Sequence, residues 1–253
     1  MGTSSPLSRV PRVALLILAS LVAGDASAQE VQDLGDFVLQ LTEARGPYEA
    51  EVREALDSGD LEAIVETINN EINLREEVLI TFISAPAEQP PASYDLNHNQ
   101  ILITYRLAVE LSDLFGGDYD KWFPSLAQIV LHEMGHALID VNQIDPPPAG
   151  WSEYVADQLA FFIISEFYEA EEQLRWAAEH FFSRPDSRLN EETDHFPNAE
   201  RAELLLCWIN GKIEALEGET GPCAEAYWEL VSDWEWRLGP SWKEPFGNEP
   251  GSD

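Results

Sequence analysis

The sequence predicts an α+β domain, mostly helical, in which a small β-sheet precedes the helix that carries the main chemical motif. Two runs rich in β-branched and aromatic residues, at 77–83 and 101–105, predict neighbouring strands. From Arg106 onward almost every segment has the apolar spacing of a helix. This order, a short sheet followed by many helices, differs from the regular alternation that builds a parallel βαβ fold.

Glycine and proline divide the chain into its predicted elements. Residues 29–71 are acidic and mostly helical in pattern, with turn residues at 46–47 and 58–60. Three prolines predict a loop at 85–92, and 97–100 forms a turn before the second strand. A second proline-rich loop, at 145–150, separates two of the later helices. The predicted helices after the sheet are 106–115, 124–142, 151–182, 198–214 and 222–237.

The charge balance excludes one class of partner. The 253 residues include 14 Lys and Arg against 47 Asp and Glu, which gives a net charge of −33. A chain with this negative charge repels phosphate backbones and anionic membrane surfaces. We therefore expect no nucleic-acid partner. Cationic or neutral partners, including metal ions, remain open.

The first 28 residues have the pattern of a cleaved signal peptide. Arg9 and Arg12 precede an apolar run at 13–24, and a small-x-small site at 26–28 follows. The alternative, a membrane anchor, is disfavoured because twelve helical residues rise only about 18 Å, against a hydrocarbon core of about 30 Å. We expect a mature chain from Gln29, exported to the periplasm or secreted, with no stable membrane anchor. The predicted regions are the signal at 1–28, an acidic helical segment at 29–74, the main domain at 75–240 and a flexible tail at 241–253.

Cys207 and Cys223 are the only cysteines. An oxidising compartment favours a disulfide between them. The alternative is a pair of buried free thiols.

The central motif is H-E-x-x-H at 132–136. Spacing of four residues stacks the imidazoles of His132 and His136 one helical turn apart, as two ligands of one zinc ion require. Glu133 is about 100° round the helix from His132, so its carboxylate is free to address water beside the metal. The alternative is a helix whose histidines are merely solvated or hydrogen-bonded.

A third ligand is predicted on the next helix. Glu153 and Asp157 follow the proline-rich loop and lie on one face at i and i+4. A catalytic zinc needs three protein ligands and one open position, which His132, His136 and Glu153 would provide for one Zn²⁺ per chain. Asp157 would accept the outer N–H of one ligating histidine, and Asp140 that of the other. The alternative for Glu153 and Asp157 is an acidic first turn stabilised by the helix dipole.

The longer motif H-E-x-x-H-x-x-G-x-x-H does not fit. Ile139 stands at its glycine position and Asn142 at its last histidine. The class of metallopeptidases defined by that motif is therefore excluded.

His132-Glu133-x-x-His136 followed by Glu153-x-x-x-Asp157 resembles the gluzincin clan of zinc metallopeptidases, which includes thermolysin-like and integral-membrane CAAX-type enzymes. More closely, the chain is similar to a family of bacterial exported proteins classed as metallopeptidases. The stretches that carry this similarity are 94–105, 132–140, 153–160, 195–201 and 206–211, together with Cys223. The resemblance covers about residues 75–235 and implies a zincin-like fold. It also implies a peptide or protein substrate.

The implied reaction is hydrolysis of a peptide bond by a zinc-activated water, with Glu133 as general base. A second donor usually helps zinc to stabilise the oxyanion. His195 and Arg201 are candidates for that donor because they lie in a matching stretch, and Tyr154 is a weaker one. For His195 a capping or core role is an equal alternative. His98 and His180 are expected to be ordinary histidines. The strand at 101–105 is either an edge that binds extended peptide or a fully paired interior strand.

Two other interpretations of the chain remain. In the first, the chain is a zincin-fold binding module that keeps a structural metal without turnover. In the second, it is an acidic helical scaffold in which the motif arose by chance. Glu133 argues against the first, since a purely structural site needs no general base and closes its fourth position.

Overall fold

A computed structural model describes residues 30–144, 152–168, 171–179 and 198–243. The predicted signal at 1–28, the loop at 145–150, and both His180 and His195 lie outside these residues. The described residues are mostly helical with one small sheet ahead of the motif helix, which confirms the predicted α+β class.

The strands are β1 (Phe37–Leu41), β2 (Val78–Ile83), β3 (Ala92–Asp95) and β4 (Gln100–Thr104). The helices are α1 (Pro47–Leu56), α2 (Asp60–Glu71), α3 (Tyr105–Leu114), α4 (Tyr119–Val141), α5 (Ser152–Tyr168), α6 (Glu171–Ala177), α7 (Asn198–Glu217) and α8 (Pro222–Leu238), followed by a 3₁₀ turn at Gly239–Ser241.

The four described strands form one sheet in the order β1-β2-β4-β3. β1, β2 and β4 run parallel, and β3 pairs with β4 antiparallel. Ile80 is in register with Ile101, and Phe82 with Ile103, and all four side chains are fully buried. Alternation along the strands therefore gives the sheet one apolar face for the helices to cover. Because β4 is paired on both sides, it is an interior strand, and β1 and β3 are the two edges of the sheet within the described part of the chain.

Two of these strands were not predicted. β1 lies inside the stretch expected to be helical, and its exposed Val38 and Gln40 alternate with Phe37, Leu39 and Leu41. β3 is only four residues long and follows directly on the proline-rich loop. The N-terminal segment at 29–74 is thus not a separate helical cover, because it contributes one edge of the sheet. Helices α1 and α2 occupy the remainder of it, as its pattern indicated.

Helix α4 runs through the middle of the domain. It begins five residues before Pro124, where the sequence predicted its start, and it ends at Val141. Buried side chains occur on nearly all sides of it, because α3, α5, α6 and the sheet surround it. Asn142, at its end, accepts a hydrogen bond from the Arg75 backbone N–H and donates to the Asn73 carbonyl oxygen at 2.8 Å. This buried amide fixes the C-terminal end of the motif helix.

Helix α5 packs directly on α4. A Cβ placed on Gly135 would lie 3.3 Å from the backbone of Ala156, so the glycine permits a close approach of the two helices. Within the described residues, the helix predicted at 151–182 corresponds to α5 and α6; residues 151, 169–170 and 180–182 lie outside the description.

The C-terminal helices form a covalently linked pair. Cys207 of α7 and Cys223 of α8 are joined by a disulfide, which confirms that prediction. Beyond α8, the Ser241 carbonyl oxygen accepts from the Asn73 N–H, and the Lys243 N–H donates to the Glu71 carbonyl. The chain is therefore packed at least to residue 243, beyond the predicted start of the flexible tail at 241. None of the described helices is long and apolar enough to cross a membrane.

Candidate metal centre

The motif histidines lie on one side of α4, one turn apart. Their ring centroids are 4.8 Å apart, and the ring planes are nearly perpendicular. The two Nε2 atoms approach to 3.2 Å. Both rings therefore direct the same nitrogen to one point, which is the outcome that their four-residue spacing favours.

Glu153 brings a carboxylate to the same point from the first turn of α5. Its Oε2 lies 3.1 Å from Nε2 of His132, and its Oε1 lies 3.4 Å from Nε2 of His136. Among the described residues, these three form the one group of His, Cys, Asp or Glu side chains with the proximity that a shared metal ion requires. Glu153 reaches them because Gly135 lets α5 pack closely against α4.

The separations match those of a tetrahedral zinc site. Ligand atoms held about 2.0–2.1 Å from zinc at tetrahedral angles lie about 3.3–3.4 Å from one another. Here the two Nε2 atoms are 3.2 Å apart, Glu153 Oε2 lies 3.1 Å from Nε2 of His132, and Glu153 Oε1 lies 3.4 Å from Nε2 of His136. The donor set, two imidazoles and a carboxylate, also suits that ion. The residues therefore fit the metal in both chemistry and spacing.

The cluster is closed on one side and open on the other. The His132 side chain is only 2% exposed, whereas those of His136 and Glu153 are 19% and 15% exposed. Solvent or a substrate can therefore reach the cluster past His136 and Glu153.

Asp157 lies behind His132, on the side away from the cluster. Its Oδ1 is 2.8 Å from His132 Nδ1, and both side chains are buried. An Nδ1–H donated to this carboxylate leaves the lone pair of Nε2 facing Glu153 and His136. The tautomer that a metal ligand needs is thus the one that Asp157 favours.

Arg201 of α7 completes this buried layer. Its Nε donates to Asp157 Oδ2 at 2.7 Å, and its Nη2 donates to Oδ1 at 2.6 Å. The guanidinium and the carboxylate form the bidentate pair that fixes both planes. The sequence proposed Arg201 as an oxyanion donor, but these contacts direct it to Asp157. Arg201 and Asp157 lie on different helices, 44 positions apart, so no spacing pattern in the sequence could predict their contact.

These contacts shift the pKa values of the buried groups. Burial raises the pKa of Asp157, but the charges of Arg201 and His132 outweigh it and hold that pKa well below its usual range. Burial lowers the pKa of His132, yet its interactions with Asp157 and Glu153 prevail and raise it to about 9 in the metal-free protein. The pKa of Arg201 is raised by Asp157 in spite of burial. Without metal, the layer is therefore a charged network.

Asp140 is hydrogen-bonded to the edge strand β3. Its Oδ2 accepts a hydrogen bond from the hydroxyl of Tyr94 at 3.0 Å. Burial and this bond raise the pKa of the phenol, which stays a donor. The contact ties edge strand β3 to α4 one turn beyond His136. An Asp140–His136 hydrogen bond remains a prediction.

The other predicted residues have separate environments. Glu133 is buried on α4, only 5% exposed. The ring of Tyr154 packs against Trp208 at a centroid distance of 5.8 Å. His98 is exposed and hydrogen-bonds to Asp95 in the turn between β3 and β4. His195 lies outside the described residues, so its catalytic role remains a prediction.

The fold and the His–His–Glu cluster together define a helical α+β domain with a site suited to a metal ion. The model of a family described as "Putative metallopeptidase" matches residues 42–236. The match covers more than half of the chain, so the chain belongs to that family. The similarity starts at residue 42, ahead of the main domain predicted at 75–240. No curated protein and no solved structure matches the chain.

Proposed function

We propose that this chain is an exported zinc-dependent metallopeptidase that hydrolyses peptide bonds, with Glu133 as its general base. The observation that carries the proposal is the convergence of His132, His136 and Glu153: the two Nε2 atoms are 3.2 Å apart, and each lies within 3.4 Å of a Glu153 carboxylate oxygen. Membership of a metallopeptidase family agrees with it. A zinc ion held by these three residues would supply a Lewis acid that acidifies water and polarises a carbonyl group.

Glu133 would move the proton. It follows His132 directly on α4, about 100° round the helix, so it does not compete for the position of a ligand. Its carboxylate would accept a proton from the attacking water and pass it to the leaving amine. Burial among the helices limits the conformers of this side chain, and that keeps the base positioned.

The substrate would lie along the edge of the sheet. β3 is one of the two edge strands of the described sheet, and Tyr94 attaches this edge to the motif helix. An extended peptide can pair with such an edge through main-chain hydrogen bonds. The side of the cluster that reaches solvent, at His136 and Glu153, would then receive the scissile bond.

Export is the remaining part of the proposal. The signal pattern at 1–28 supports it, and so does the disulfide between Cys207 and Cys223. We place the mature protein in the periplasm or outside the cell.

A substitution series tests the mechanism. Glu133→Gln should keep bound zinc and lower the rate of peptide cleavage by about 10²–10⁴-fold, because the general base is lost. Glu153→Ala should lose both zinc and activity. Glu166→Gln, which removes a partly buried carboxylate elsewhere on α5, is the matched control and should keep both. The measurements are zinc content and cleavage of a peptide library by the mature protein. Unimpaired cleavage by Glu133→Gln would refute the proposed base.

The alternative is a binding module with the same metal and no turnover. It predicts that the wild-type protein binds one zinc ion and cleaves nothing in the library. The exposure of the cluster at His136 and Glu153 favours the peptidase, because a structural zinc has its fourth position closed by protein.

A further inference from the structure

The strongest polar contact next to the candidate metal site is the pair formed by Arg201 and Asp157. Two hydrogen bonds of 2.6 and 2.7 Å join them. The side chains are only 9% and 3% exposed. A buried carboxylate without a partner is strongly unfavourable, and of the two charges that keep Asp157 ionised here, that of the guanidinium contributes more than that of His132.

The same carboxylate oxygen serves two donors. Oδ1 of Asp157 is 2.6 Å from Nη2 of Arg201 and 2.8 Å from Nδ1 of His132. The two nitrogens are 3.4 Å apart, which follows from their convergence on one oxygen. A bidentate guanidinium fixes the plane of the carboxylate. The direction from which Asp157 receives the imidazole N–H is therefore set by α7.

We infer that Arg201 is a positioning residue for the metal site. It holds Asp157 so that the Nδ1–H of His132 has a fixed acceptor and Nε2 keeps its lone pair towards His136 and Glu153. This inference rests on the proposed metal site. Arg201 is not a catalytic residue in this account, because it meets the Nδ1 side of His132, whereas the cluster lies on the Nε2 side.

The arrangement makes metal affinity depend on a third helix. The ligands come from α4 and α5, but the residue that orients one of them comes from α7, 44 positions after Asp157. The disulfide from Cys207 ties α7 to α8. The docking of this helical pair therefore becomes part of the metal site.

The test measures zinc affinity of the mature protein by competition with a chelating dye. Loss of a group that orients a metal-ligating histidine typically weakens binding by about 10–100-fold. Arg201→Met should show a loss of that size, and Arg201→Lys a smaller one, because an ammonium cannot form the bidentate pair. Arg175→Met is the matched control. Arg175 of α6 also donates to α7, at Asn210 Oδ1, but makes none of the contacts of the cluster, so zinc affinity should not change.

A double-mutant cycle tests whether Arg201 acts through Asp157. Asp157→Asn alone should weaken zinc binding, and adding Arg201→Met should weaken it little further. Additive losses would overturn the inference. So would an Arg201→Met protein that keeps zinc affinity and loses only turnover, since that result assigns Arg201 to the substrate or the oxyanion.

A spectroscopic measurement separates positioning from simple stabilisation. In zinc-loaded protein labelled with ¹⁵N-histidine, His132 should show an Nδ1–H signal that exchanges slowly with water. That signal should be broadened in Arg201→Met and Arg201→Lys but kept in Arg175→Met. If Arg201→Met does not fold, Arg201→Lys decides. A lysine variant with wild-type affinity and signal overturns the inference. A wild-type protein that binds zinc but cleaves no peptide refutes the proposed peptidase and leaves this inference standing.

Discussion

At the scale of single residues, the imidazole of His132 links the His–His–Glu cluster to the charged layer formed by Asp157 and Arg201. Nδ1 faces Asp157 at 2.8 Å, and Nε2 faces Glu153 at 3.1 Å. Both interactions favour a protonated ring when no metal is present, although burial opposes it. A metal ion that takes Nε2 as a ligand must therefore displace a proton.

This displacement predicts a pH dependence of metal binding. Because the pKa of His132 is raised to about 9, the ring is protonated on both nitrogens at neutral pH in the metal-free protein. Zinc should release the proton on Nε2, so zinc affinity should rise by about tenfold per pH unit for this proton up to about pH 9. Calorimetry at pH 7 in buffers of different ionisation enthalpy measures the proton count. Affinity that stays constant between pH 7 and 9 would contradict the charged state assigned to His132.

The sequence predicted the residues of the cluster better than the layer behind it. His132 and His136 are one helical turn apart, and so are Glu153 and Asp157, so the juxtaposition within each pair follows from local geometry. Arg201 reaches Asp157 across 44 positions of the chain, and only the packing of α7 brings them together. Tyr94 meets Asp140 for the same reason, through the position of an edge strand.

At the scale of elements, the contact between α4 and α5 places the third ligand. Gly135 has no side chain, and an added Cβ would lie 3.3 Å from the Cα and the carbonyl oxygen of Ala156. Ala156 lies between Glu153 and Asp157 along α5. The separation of the two helices therefore controls the distance from Glu153 to the histidines.

Enlarging Gly135 should weaken the site. Overpacking a buried contact costs about 1–3 kcal/mol, and Gly135→Leu should lower the free energy of unfolding by that amount. It should also weaken zinc binding more than Gly135→Ala, because α5 must move away from α4. Ala224→Leu, at a buried position of α8, is the control for overpacking elsewhere. Urea unfolding and zinc titration are the measurements. Equal zinc affinity in Gly135→Leu and Ala224→Leu would contradict the role of this contact.

The elements that the sequence missed are those with weak local signals. β1 has the alternation of a strand, but it lies in an acidic segment whose pattern is mostly helical, and its pairing with β2 lies 41 residues away along the chain. β3 has four residues, too few for a pattern. Helix α4 extends back to Tyr119 although Pro124 interrupts its hydrogen-bond ladder. Trp122, which is 2% exposed, packs that first turn into the core.

At the scale of the whole molecule, the charge of −33 and the helical fold describe a domain that repels polyanions. The His–His–Glu cluster and the buried pair of Asp157 and Arg201 lie on α4, α5 and α7. The family match from residue 42 to residue 236 includes the sheet edge, the cluster and the disulfide-linked pair of helices. The similarity to the family is therefore not confined to the cluster itself.

The central claim is that His132, His136 and Glu153 hold one zinc ion. Anomalous scattering at the zinc absorption edge, measured on a crystal of the mature protein, tests it most directly. The account predicts one peak per chain, about 2.0–2.2 Å from the two Nε2 atoms and a Glu153 carboxylate oxygen. The absence of this peak from zinc-loaded crystals would contradict the claim. So would a zinc ion coordinated by Asp157 or Asp140 in place of Glu153.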